Sequence, residues 1–88
     1  MGTRDEGRKR VKTAGTTFDI VESLQALEGA GISELADELD LAKSTVHRHL
    51  STLHEMEYVV RVGDTYHLGL QFLNLGEYVR NREELYVL

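Results

Sequence analysis

The chain has 88 residues and no cysteine, which bounds it to one small domain and excludes a disulfide framework, a thiolate nucleophile and a Cys-based zinc site. Hydrophobic residues at 41% and charged residues at 28% describe an ordinary soluble globular domain, and no apolar run approaches the roughly 18 residues of a membrane span. The formal net charge of -5 argues against nucleic-acid binding, but its distribution is uneven: residues 1–15 carry five basic and two acidic side chains, residues 16–42 seven acidic and no basic ones, and residues 43–67 three of each.

Residues 1–15 (MGTRDEGRKRVKTAG) have no apolar period and are predicted to form a flexible basic tail. Charged rather than hydrophobic, they do not read as a signal peptide. Thr16 or Thr17 is predicted to cap a first helix running to about Glu28, with Asp19 and Glu22 in its early turns. Ile20, Val21, Leu24 and Leu27 share one face of it, and Gly29 and Gly31 end it. Ile32 stands alone as an apolar residue, a candidate one-bond strand. Ser33 is a good cap for a short second helix, about 34 to 40, with Leu35, Ala36 and Leu39 inward. Asp40-Leu41-Ala42 turns the chain into a third helix, from about Lys43 to Met56. Val59 to Val62 and Thr65 to Leu68 are β-type runs flanking Gly63-Asp64, a two-residue hairpin signal. A fourth helix is predicted from Leu70 onward, with Gly76 as its weak point.

Two helices joined by a short turn and followed by a hairpin describe a winged helix-turn-helix, mainly α with a small β-hairpin wing. The predicted organisation is a tail over 1–15, the winged helix-turn-helix over 16–69, and a linker or dimerisation helix over 70–88. The helix-like pattern at Leu88 reads as a fragment of something longer.

The third helix contains LAKSTVHRHLSTL, a stretch free of acid inside an acidic chain. At about 100° per residue, Val46, Leu50 and Leu53 cluster on one side as the core face. Ser44, Arg48 and Ser51 lie nearly opposite, flanked by Lys43, Thr45 and His47. A recognition helix needs such a face. Small hydroxyl side chains permit close approach and donate to phosphate, and the helix N-terminus favours an anion. Arg48 is long enough, and forked enough, to take guanine O6 and N7 together. The plainer reading is a solvated polar face; the turn before it and the hairpin after it favour DNA.

The run from Ile32 to Leu75 resembles the DNA-binding domain of the IclR family of transcriptional regulators. ISELADELDLAKSTVHRHLSTL matches its helix-turn-helix, YVVRVGDTYHLG its wing, and LQFLNLG the segment after it, while TFDIVESLQAL resembles its first helix. The likeness covers about residues 16 to 80. It implies base or phosphate contacts from Ser44, Thr45 and Arg48, with Lys43 and His47 near the backbone. It implies that Arg61 and the Gly63-Asp64 tip lie near the flanking groove. Ala42 stands where the family often has proline, and Glu57 where it often has glycine. The resemblance also implies a larger C-terminal domain for a small-molecule effector, absent from this chain.

Four histidines raise a metal site. His47 and His54 are seven residues apart, about 10 Å along a helix, too far for one ion. HEMEY lacks the second histidine of a zinc helix. No metal or cofactor is expected. No catalytic fingerprint or focused carboxylate pair is present, so an enzyme is not expected either.

On the fourth helix Phe72, Leu75, Val79 and Tyr86 follow heptad spacing, interrupted by Arg82, while Leu70 and Leu73 are expected to pack on the domain. Two apolar sides call for two coverings, and a symmetric homodimer supplies the second. The competing function is a winged-helix protein-protein interaction module without DNA contact, which the acidic span favours. The excess of acid and the three lysines also suit a regulator in a high-salt cytoplasm. The expected partners are double-stranded DNA and a second copy, with no membrane.

Overall fold

A computed structural model describes residues 10–82. Its elements are α1 (Lys12–Leu27), α2 (Ile32–Leu39), α3 (Lys43–Glu55), β1 (Val59–Val62), β2 (Thr65–Leu68) and α4 (Leu70–Arg80). This is the predicted winged helix-turn-helix, and the two strands match their predicted bounds residue for residue. They pair antiparallel, Val59 opposite Leu68 and Val62 opposite Thr65, around Gly63 in the left-handed region.

One core joins the three helices to the wing. Ile20 and Leu24 come from α1, Leu35 and Ala36 from α2, Val46, Leu50 and Leu53 from α3, and Val59 and Tyr66 from the hairpin. In α1 and α3 these residues recur every three or four positions, the spacing that puts them on one face, while in α2 the buried pair is the adjacent Leu35 and Ala36. No charged or polar side chain among the described residues is buried, so apolar burial is the cohesive term.

Three helix ends close in the same way. Glu28, Asp40 and Glu57 each take a left-handed conformation, with φ of 58°, 56° and 69°. The next residue's N–H then reaches back five positions: Gly29 to the Leu24 carbonyl at 3.0 Å, Leu41 to Ala36 at 2.9 Å, Tyr58 to Leu53 at 2.8 Å. These bonds satisfy carbonyls that the helix end leaves open. A non-glycine residue in this conformation costs roughly 1–2 kcal/mol. Glu57, where family members often have glycine, therefore keeps the left-handed path into the wing at an energetic cost. Ala42 keeps φ at -68°, the value proline would impose.

Several boundaries differ from expectation. α1 begins at Lys12, not beside Thr16, because its start needs no side-chain cap: Val11 is extended and no cap bond forms. Residues 12–15 are thus helical rather than tail. α2 begins at Ile32, not after Ser33, and the one-bond strand is Ala30 rather than Ile32. The Glu28-Gly29 turn is tight enough to bring Ala30 to the wing. There the Ala30 N–H donates to the Tyr66 carbonyl at 3.0 Å, and the Tyr66 N–H donates to Ala30 at 2.8 Å. Gly29 has φ of 106°, and a Cβ there would collide with the His67 imidazole.

α4 corrects the expected packing. Leu70 and Leu73 are 75% and 55% exposed and do not pack on the domain. Phe72 is the residue that docks, edge-on to Tyr58 with ring centroids 4.9 Å apart. No residue of α4 is buried. The reason is directional: the turn at Gly69, whose N–H donates to the Tyr58 carbonyl at 2.8 Å, aims the Phe72 side of the helix at the body. Tyr86 lies outside the described residues.

Candidate nucleic-acid interface

The turn Asp40-Leu41-Ala42 sets α3 against α2, and Val46, Leu50 and Leu53 fix its rotation by sinking into the core. That rotation leaves Lys43, Ser44, His47, Arg48 and Ser51 exposed together, with Thr45 half-buried at the edge. The first turn of α3 contains no acid, and no side chain caps it, so its N–H groups and partial positive charge face outward. None of the ion pairs among the described residues engages Lys43, Arg48 or Arg61.

The wing is less uniformly positive. Arg61 is exposed on β1, where its Nε donates to the Gly63 carbonyl at 2.9 Å and its guanidinium lies 5.9 Å from the Tyr66 ring centre. Glu34 and Asp64 line the same hollow. The one Lys or Arg of the wing, Arg61, lines that hollow beside the start of α2.

The other edge of α3 borders a feature that the sequence reading missed. A groove of about 550 Å³ opens between α1, α3 and α4, lined chiefly by Phe18, Val21, Leu53, Met56, Tyr58 and Leu75, with Arg48 at its rim. Phe18, Met56 and Leu75 are each more than half exposed. The missed signal was Phe18, an aromatic residue lying off the Ile20-Leu24 stripe. Polar contacts cross one wall of this groove. The Thr17 hydroxyl donates to the Thr13 carbonyl at 2.9 Å and meets His49 Nδ1 at 3.0 Å. With the hydroxyl proton already used, the imidazole Nδ1–H is the donor of the second bond. His49 is half-buried, while His47 and His54 are exposed. Among the described residues no three His, Asp or Glu side chains gather into a metal-binding group.

The IclR helix-turn-helix domain model matches residues 15–63, which span α2, α3, β1 and nearly all of α1. The chain belongs to the IclR helix-turn-helix family. It is 35% identical over 79 residues to the Probable HTH-type transcriptional regulator ArcR of Halobacterium salinarum, covering 89% of this chain and 30% of that protein. It is 32% identical over 74 residues to the HTH-type transcriptional regulator KdgR of Escherichia coli, covering 82% and 28%. Among solved structures, HmgR of Pseudomonas aeruginosa superposes with a TM-score of 0.75 at 27% identity, over 84% of this chain and 33% of that one. An IclR family transcriptional regulator from Brucella abortus gives 0.71 at 27% identity, over 85% and 30%. The chain thus spans about a third or less of each of these relatives. ArcR, KdgR and the Brucella abortus protein are named as transcriptional regulators, not enzymes. No helix among the described residues is long and apolar enough to cross a membrane.

Proposed function

We propose that this IclR-type domain binds double-stranded DNA sequence-specifically, with α3 in the major groove. The observation that carries the reading is the outward face of α3: Lys43, Ser44, His47, Arg48 and Ser51 exposed together, with no acid in the first turn. In this reading Ser44, Thr45 and Ser51 approach the groove edge and phosphates, and Lys43 and His47 meet the backbone. Arg48 reads a guanine, and Arg61 touches the flanking strand from the wing. Those acidic side chains of residues 16–42 that lie more than roughly 10 Å from the phosphates are screened at 0.1 M salt, while Glu34 shares a hollow with Arg61. A high-salt cytoplasm would screen them further, and the similarity to a Halobacterium protein fits that setting. Binding of a small-molecule effector is assigned to a part of such regulators that these residues do not span.

The working unit is a homodimer. One winged helix reads a short segment, and two half-sites about one helical turn apart, or a multiple of it, supply the rest. Leu75 and Val79, exposed beyond the docked Phe72, form the contact together with the apolar rim at Phe18, and Tyr86 extends the heptad spacing by sequence. Sedimentation tests both parts at once. The chain alone is expected to sediment as a dimer, and the double variant L75E/V79E as a monomer with its helicity retained. With duplex DNA added, the parent is expected to co-sediment at low salt and separate as salt rises. A winged helix that serves as a protein-interaction module would leave the duplex unbound at every salt concentration.

A further inference from the structure

Successive side chains of a strand point to opposite faces, and the wing is held differently on its two faces. On the inner face Val59 and Tyr66 are buried, and Arg61 stands opposite Tyr66 on that same face. On the outer face Val60, Val62 and Thr65 are exposed, and His67 alone is half-buried. Residues 60–65, which carry Arg61, are all exposed. A two-stranded hairpin is marginally stable by itself, so the direction of this projecting end depends on what grips its base.

His67 is the grip on the outer face. Ala30 pairs antiparallel with Tyr66, which sets Gly29 beside His67 at the next position. The imidazole fills the space where a side chain at Gly29 would stand. On its other side, Thr65 donates its hydroxyl to the Val62 carbonyl at 2.9 Å and meets His67 Nε2 at 3.1 Å. The hydroxyl proton is thus used, and the imidazole Nε2–H is the donor of the second bond. The ring therefore links the turn after α1 to Thr65 and Val62, the pair that closes the wing tip.

We propose that His67 is a positioning residue for DNA binding: wedged against Gly29 and tied to Thr65, it fixes the angle of the wing so that Arg61 meets the strand flanking the segment read by α3. The proposal rests on the reading of α3 as the DNA face and of Arg61 as the wing contact. Without the imidazole the hairpin keeps Val59 and Tyr66 in the core, but its exposed end is free to pivot about the Ala30–Tyr66 pair.

The test compares the parent with H67A, R61A and H67A/R61A. His67 is not among the buried core residues, so H67A is expected to fold; T65V, which removes only the exposed hydroxyl tie, repeats the test with the imidazole in place. Residual dipolar couplings of the free proteins report the wing angle. In the parent the amides of both strands should fit the alignment of the helices, and in H67A those of residues 60–65 should depart from it while the helices keep theirs. Duplex affinity between about 50 and 200 mM salt reports the consequence. R61A should make the log–log salt slope shallower by up to about 0.9, the share of one phosphate contact. H67A should lose as much, and the double variant no more than either. Parent-like couplings or a parent-like slope in H67A would overturn the proposal. So would a double variant that loses the sum of the two, since His67 would then be a contact in its own right. R61A binding like the parent would remove the wing contact and this proposal with it, leaving α3 in place, whereas a parent without salt-dependent binding would remove the α3 reading as well.

Discussion

Replacing Leu50 with alanine is expected to destabilise the domain by about 2–5 kcal/mol. Leu50 is fully buried and sits midway along the core face of α3, between Val46 and Leu53. Truncation removes apolar contacts that the surrounding helices and wing cannot collapse to replace. At roughly 0.05–0.15 kcal/mol per residue a chain of this size holds about 4–13 kcal/mol, so such a cavity takes a large share of its stability. Denaturant melts should therefore show a large fall in midpoint or no cooperative transition. Leu50→Met, which conserves volume, should cost less than about 1.5 kcal/mol. An alanine variant that melts like the parent would mean that α3 is rotated away from the core and that its exposed face is misassigned.

Arg48→Ala should do the opposite: leave the fold intact and damage recognition. Arg48 is exposed at the rim of α3, and no ion pair among the described residues uses it. A bidentate arginine–guanine contact is worth about 1–3 kcal/mol, so specific affinity should fall by one to two orders of magnitude at an unchanged melting temperature. Because Arg48 also borders the α1–α3–α4 groove, sedimentation of the variant separates the two roles. Lost affinity in a protein that still dimerises marks base readout, whereas lost affinity through dissociation marks an interface residue. Unchanged specific affinity would remove Arg48 from the readout set.

The fold was legible where local chemistry and the core agree. Val46, Leu50 and Leu53 declared the inward face of α3 by spacing alone, and Gly63-Asp64 between two β-type runs declared the wing and its strand bounds. Helix starts were less legible. Thr16 and Thr17 look like caps, but Thr17 is spent on the Thr13 carbonyl and His49, inside a helix that has already begun. Ser33 misled in the same way, because Gly31 in an extended conformation opens α2 without any side-chain bond. The packing of α4 was not legible from its own sequence. Leu70, Leu73, Phe72 and Leu75 offer two apolar sides, and only the turn at Gly69 decides which one meets Tyr58. The candidate face on α3 was readable because it requires only a composition and a wheel. The groove beside it was not, since Phe18 of α1, Met56 at the end of α3 and Leu75 of α4 meet only after folding.

The central claim is that duplex DNA lies against the outward face of α3. The most direct measurement is the amide chemical-shift footprint of isotope-labelled protein titrated with a duplex at low salt. The account predicts the largest changes from Lys43 to Ser51, smaller ones at Arg61 and Gly63, and little at the acidic surface of α2 around Asp37 and Glu38. Perturbations centred on α2, or confined to α1 and α4 with α3 silent, would contradict it.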